Sequence, residues 1–221
     1  MKYFPVLLDL EGKTCVVVGG GRVGERKVQG LRKAGAEVRV IGPKVTAALA
    51  RLQAGGKIGC RRRPFRSGDL RGAFLAIAAT DDRTVNERVF QQALALKIPV
   101  NVVDDPAHST FIVPSLVRQG DLLLAISTSG RSPALARMLR QKLEREIGPE
   151  YGFLLKLLAA ARKKVLPMGL GPKRNQALFR RLVREDLLTL IRTRDWKGLD
   201  ERLVKNLGSG FTLRGLRLKG K

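Results

Sequence analysis

The side chains of this sequence best suited to move a proton or grip a charged ligand are Asp104, His108 and the hydroxyls of Ser127, Thr128, Ser129 and Ser132. Gly19, Gly21 and Gly24 are the places where bare backbone amides can do the gripping instead. Asp104 closes the apolar run VNVVD, and a carboxylate at the end of a strand stands where open α/β sheets bind their ligands. The same Asp-Asp-Pro string is also a common way to close a turn, so the residues alone leave both readings open, with Asp105 the better turn former. His108, the only histidine, stands in a polar loop where such a side chain is usually solvated, with proton donor or transient iron ligand as the functional alternatives. Ser132 precedes a proline and suits a helix N-cap, whereas Ser127 to Gly130 can offer hydroxyls and amides to an anion. No grouping of His, Cys or carboxylates has the spacing of metal ligands, and no resident metal is expected. Cys15 and Cys60 are too few and too far apart for a disulfide framework.

The glycines match GxGxxG, between an apolar run (TCVVVG) and a charged helix-forming stretch (RVGERKVQGLRKAG). In that setting the first glycine permits a sharp turn, the second lets a pyrophosphate approach the backbone, and the third lets helix and strand pack closely. The amides of Arg22 and Val23 then face the phosphates at the positive end of the helix. The acidic residue that would hold the adenosine ribose is missing from the end of the second strand, where Pro43 and Lys44 stand. Lys44, with Arg22 or Arg39, could meet a 2′-phosphate there, which leaves NAD against NADP open at this point. Thr80 and Asp81 follow the most apolar strand and belong beside the ribose and pyrophosphate, while Asp82 reads as a helix cap. Asn86 and Asn101 are placed to tie these loops together.

The elements that position these residues read as alternating strands and helices. Strands are expected near 14–19, 36–43, 57–63, 73–80, 98–106 and 121–130, with helices after the first, second, fourth and last. That alternation predicts a Rossmann-like, doubly wound parallel sheet. From 151 on there are only amphipathic stretches, near 152–166, 173–192 and 195–206, and a small helical appendage is expected. The final GSGFTLRGLRLKGK, rich in glycine and basic residues, reads as a flexible tail. The resulting division is 1–113 for the dinucleotide-binding domain, 114–148 for a dimerisation segment, 149–207 for a helical domain and 208–221 for the tail.

The formal charge is +24, of which residues 151–221 carry +13, from 18 Lys and Arg against 5 Asp and Glu. Such a field favours a polyanionic partner. With only 11 aromatics in 221 residues, stacking platforms for nucleic acid are sparse, and no specific nucleic-acid partner is expected. No apolar run approaches the roughly 20 residues of a membrane span, and the N-terminus lacks the pattern of a signal peptide, so a cytoplasmic protein is expected.

Five motifs, GGGRVGERK (19–27), AATDDRTVN (78–86), NVVDDP (101–106), FIVPS (111–115) and ISTSGRSP (126–133), resemble in order and spacing the precorrin-2 dehydrogenase family, which includes the N-terminal half of siroheme synthase. The resemblance covers residues 1 to about 148. It implies oxidation of precorrin-2, a tetrapyrrole with eight carboxylates, to sirohydrochlorin with NAD+ as acceptor; some members also insert ferrous iron. It implies that Asp104 is the catalytic base, that Gly19, Gly21, Arg22, Val23, Gly24, Pro43, Lys44, Thr80 and Asp81 hold NAD, and that Asn101, His108, Phe111, Ser127, Thr128, Ser129, Gly130 and Ser132 line the substrate. It further implies a homodimer. A dinucleotide sensor without catalysis is the rival reading, since it shares the glycine loop but not the later motifs.

Overall fold

The computed structural model describes residues 3–184 and 186–219, which divide into two compact units. One comprises the chain up to Val113 together with Ser129–Arg131; the other comprises Pro114–Thr128 and the chain from Ser132 onward.

In the first unit, strands β1 (Thr14–Gly20), β2 (Glu37–Val45), β3 (Gly59–Arg61), β4 (Leu75–Ala78) and β5 (Val100–Val102) form one parallel sheet in the order β3-β2-β1-β4-β5. Helices α1 (Arg22–Lys33), α2 (Ala47–Ala54) and α3 (Arg83–Ala95) connect them. Successive strand residues face opposite ways, so Cys15, Val17, Leu75 and Ile77 pack with Val28 and Leu31 of α1 and Leu49 of α2. Val16, Val18, Ala76 and Ala78 pack instead with Val89 and Ala93 of α3. Helices on both faces explain why β4 has no polar position. This is a Rossmann-like, doubly wound sheet whose strand order reverses between β1 and β4, the crevice where such folds take ligands.

Two expectations for this unit need correction. The second strand does not stop at Gly42-Pro43 but runs to Val45, because a register shift between Val18 and Gly20 brings Gly20 opposite Val45. Pro43 is tolerated because β3 pairs only as far as Ile41, leaving no partner to miss its N–H. The apolar run at 121–130 is not a further strand of this sheet. It forms β7 (Leu122–Ile126), which pairs antiparallel with β6 (Ser115–Gln119) in a separate hairpin of the second unit. The two-residue turn Gly120-Asp121, with Gly120 at φ 61°, closes the hairpin.

The second unit continues with α4 (Pro133–Glu146), α5 (Pro149–Val165), a 3-10 turn (Leu166–Met168), α6 (Pro172–Arg184), α7 (Leu187–Arg192) and α8 (Trp196–Leu207). The stretch expected as one helix over 173–192 is two, since Asp186 caps α7 by accepting the amide of Thr189. Leu157, Ala161, Val165, Leu182, Leu187, Ile191, Leu199 and Leu203 make its core. The expected flexible tail is instead packed as far as it is described: Phe211, Leu213 and Leu216 are buried in that core. Asp200 accepts the amide of Leu213 at 2.6 Å, and Lys164 donates to the carbonyl of Gly210. The apolar residues at 211, 213, 216 and 218 override the glycines around them; Gly220 of the expected tail lies outside the described residues. Among the described residues, no helix is long and apolar enough to cross a membrane.

Candidate dinucleotide and substrate site

The carboxyl edge of the sheet is built by register. Val18, Ala78 and Val102 lie side by side on β1, β4 and β5, and the bonds Ala79 N to Val18 O (2.7 Å) and Val103 N to Ala78 O (2.9 Å) extend the alignment by one residue. The next positions outward are the glycine turn, Thr80 and Asp104. A strand rises about 3.3 Å per residue, so parallel register sets the level of these three groups before any side chain is considered.

Each glycine of the turn is there for a different reason. Gly19 has φ 115°, and a Cβ on it would lie 2.2 Å from the carbonyl oxygen of Ala79. A Cβ on Gly24 would lie 2.1 Å from the carbonyl of Gly19, where α1 crosses β1. Gly20, which the motif does not require, would collide with the carbonyl of Lys44 at 2.3 Å, a consequence of the prolonged β2. Around Gly21 nothing lies within 4 Å. Gly21 is the N-cap of α1, with no side chain capping the helix, so the amides of Arg22, Val23 and Gly24 are left for an outside acceptor. An open face over uncapped amides at a positive helix end fits a pyrophosphate. Arg22, Val23, Pro43 and Lys44 are all exposed around it.

The flanking loops are held by hydrogen bonds. Asn86, buried on α3, accepts from the hydroxyl of Thr80 at 2.7 Å and donates to its carbonyl at 2.9 Å. Thr80 is thereby fixed, Asp81 beside it is exposed, and Asp82 caps α3 through the amides of Thr84 and Val85. Thr46, the N-cap of α2, donates to Glu25 of α1 at 2.6 Å, a brace between two helix starts that no sequence motif announced.

Asp104 sits in the left-handed region at φ 61°, exposed, and among the described residues its carboxylate accepts no hydrogen bond. The loop that holds it there is tightly bonded. Ser109 accepts the amide of Val102 at 2.9 Å and donates to the carbonyl of Asp105 at 2.8 Å. The Asp105 carboxylate accepts the amides of Ala107 and His108 and contacts His108 Nδ1 at 2.7 Å. The hydrogen bond from His108 holds the Asp105 carboxyl below its ordinary range. The other ring nitrogen of His108 lies 3.1 Å from Glu87 of α3, and its ring meets Phe90 edge-on. His108 is thus engaged at both nitrogens. Asn101 is buried and donates to the carbonyl of Phe111, whose ring packs on the α1 side of the core.

One side chain here went unnoticed in the sequence. Lys27, one helical turn beyond Val23 on α1, is partly buried, and burial lowers its affinity for a proton. The charge of Arg26 acts in the same direction, while that of Asp104 opposes it. Charged residues on a helix normally read as its solvated face, and only the fold reveals the partial burial of this ammonium.

Ser129 (φ 53°) and Gly130 (φ 80°) take left-handed conformations in succession, and a Cβ on Gly130 would meet Pro106 at 3.7 Å, so this short piece joins the Asp104 loop within the first unit. Ser127, Thr128 and Ser132 belong to the second unit. There Thr128 both accepts the amide of Ser132 and donates to its carbonyl, and Ser132 caps α4 through the amide of Leu135.

Among proteins of known family, residues 6–115 match a putative NAD(P)-binding family model, and residues 119–146 match that of the sirohaem biosynthesis protein central domain. The chain is 43% identical over 165 residues to a siroheme synthase of Nitrosococcus oceani, covering 75% of this chain and 35% of that protein. It is 46% identical over 165 residues to one of Methylobacillus flagellatus, with the same coverage, and 38% identical over 188 residues to siroheme synthase 3 of Aeromonas hydrophila, covering 85% and 40%. The chain therefore spans about a third of the length of these curated relatives. Among solved structures it superposes on SirC, a precorrin-2 dehydrogenase, with a TM-score of 0.75 and 26% identity, over 90% of this chain and 100% of that one.

Proposed function

Because the chain belongs to the precorrin-2 dehydrogenase family, which takes in the N-terminal part of siroheme synthase, we propose that it oxidises precorrin-2 to sirohydrochlorin with NAD+ as hydride acceptor. The observation that carries this reading is the shared level of the open glycine turn and Asp104 on the sheet edge, with an exposed carboxylate that accepts no hydrogen bond among the described residues. The bound nicotinamide supplies a two-electron sink. The amides of Arg22, Val23 and Gly24 hold its pyrophosphate, and Thr80 and Asp81 border the ribose. As hydride leaves one carbon of the macrocycle, Asp104 takes the proton released, so that precorrin-2 and NAD+ become sirohydrochlorin, NADH and a proton. Lys27 supplies positive charge beside this carboxylate. Within the first unit, Asn101, His108, Phe111, Ser129 and Gly130 are assigned to the substrate side, with His108 acting chiefly by fixing the Asp104 loop. The strongly basic chain attracts an octacarboxylate.

The segment 114–148 is assigned to homodimer formation, supported by exposed apolar side chains at Leu116 on β6 and at Leu135 and Met138 on α4. Lys44, in place of the usual ribose-binding acid, makes paired titrations with NAD+ and NADP+ the direct measure of cofactor choice. Anaerobic mixing with precorrin-2 and NAD+ tests the activity: reduced nicotinamide and the sirohydrochlorin spectrum should rise together. A chain that binds NAD+ but yields neither is a sensor instead. Adding ferrous iron to the same mixture reports whether the product is also metallated.

A further inference from the structure

The helical unit carries a groove of about 1190 Å³ between α5, the 3-10 turn and α6. Its apolar floor is Leu166, Phe179 and Val183, and Arg162, Lys173 and Arg180 stand around it. Pro172, Asn175, Phe179 and Val183 recur at steps of three and four, so they form one stripe of α6. A second stripe, Leu178 and Leu182, packs into the core of the unit. Helix α6 therefore has an apolar edge beyond what its core requires, where Val183 is 63% exposed, and Leu166 of the 3-10 turn adds a side chain 47% exposed. Arg162 lies over the Phe179 ring, 5.5 Å from its centre, and Phe179 is partly buried against the core of the unit. Asn175 Oδ1 is buried in the same place without a hydrogen-bond partner. No carboxylate is among the described lining residues.

We propose that this groove is a second binding site, for a flat macrocycle bearing several carboxylates, which holds the tetrapyrrole before or after its oxidation at the sheet edge. The proposal rests on the dehydrogenase reading for the identity of the ligand. Two features select that chemistry: apolar side chains for a planar ring, and cations around them for peripheral carboxylates. A second copy of this chain is disfavoured as occupant because like would meet like across a basic surface. A nucleic acid would need successive aromatic platforms, and Phe179 is the one aromatic among the described lining residues.

The test uses uroporphyrin, a planar octacarboxylate that is no substrate for hydride transfer, titrated against the full chain by fluorescence. Lys173→Glu with Arg180→Glu changes two exposed side chains and should leave the fold intact, while Lys33→Glu with Lys57→Glu makes the same change of net charge on the first unit. Two porphyrins per chain are expected for the unmodified protein, and in the groove variant one of them should weaken about tenfold or more. The control pair should keep both, and turnover at saturating precorrin-2 should be unchanged in either variant. A single porphyrin per chain, unaltered by the groove substitutions, overturns the proposal, as does equal weakening in the control pair. Displacement of the groove porphyrin by a short oligonucleotide of higher affinity overturns it in favour of a nucleic acid. Porphyrin bound in the groove with no dehydrogenation of precorrin-2 would instead defeat the reading of the sheet edge.

Discussion

At the scale of single residues, the proposed function divides the work between the backbone of the glycine turn and the side chain of Asp104, and the two can be broken separately. Gly21 has an ordinary extended conformation (φ −76°, ψ −175°) and open space around it, so Gly21→Val should fold as the parent does while filling the position a pyrophosphate needs. Calorimetric titration with NAD+ should show binding lost at unchanged melting temperature. Asp104→Asn has the opposite signature. It keeps the shape of the loop and its tolerance of the left-handed region, so NAD+ affinity should hold within about twofold while turnover falls about 100-fold or more, as expected for loss of a positioned base. Steady-state kinetics on the two variants side by side make the distinction.

At the scale of elements, the loop between β3 and β4 is held by one buried carboxylate. Asp69 is 5% exposed, bonded to Arg63 at 2.7 Å and Arg61 at 3.0 Å, and accepts the amide of Arg66 at 2.8 Å. The bond from Arg63 chiefly, with the amide of Arg66 and the guanidinium of Arg61, draws its carboxyl from the ordinary 3.8 down to about 2. A folded-state value below the unfolded one means this contribution is complete above about pH 4 and is lost as pH falls toward 2. It amounts to about 2 kcal/mol. Asp69→Asn should therefore destabilise the chain at neutral pH and flatten its loss of stability in acid, read from denaturant midpoints across pH. In the second unit, Phe211→Ala should cost about 3 to 5 kcal/mol, the range for a large side chain removed from a packed core. Chemical denaturation would show the terminal segment to be part of the helical core, whereas an effect near zero would return it to the status of a loose end.

For the molecule as a whole, charge and association are the properties to measure. The exposed apolar side chains of β6 and α4 lie in the segment assigned to pairing, and Leu116→Glu with Met138→Glu should turn a dimer into a monomer in sedimentation velocity without unfolding it. A parent chain already monomeric at micromolar concentration would remove that assignment. The Rossmann-like sheet was legible because its two periods are strong local signals: apolar runs of four or five residues, and stripes such as Gly24, Val28 and Leu31 on α1. Five motifs in order were specific enough to point to the family that the comparisons bear out.

Local pattern was thus enough for the strand and helix order of the first unit, the glycine turn and the place of Asp104 at a strand end, since each depends on near neighbours in the chain. Long-range packing settled the rest. The run at 122–126 has the composition of a sheet strand, yet its partner is Ser115–Gln119 across a two-residue turn, and nothing in the run itself names that partner. Phe211, Leu213 and Leu216 lie among glycines and cations that read as a loose end until a helical core exists to bury them. The partial burial of Lys27 has the same reason: the surroundings of a charged side chain on a helix are chosen by what the helix packs against, at distances in sequence that no short window spans.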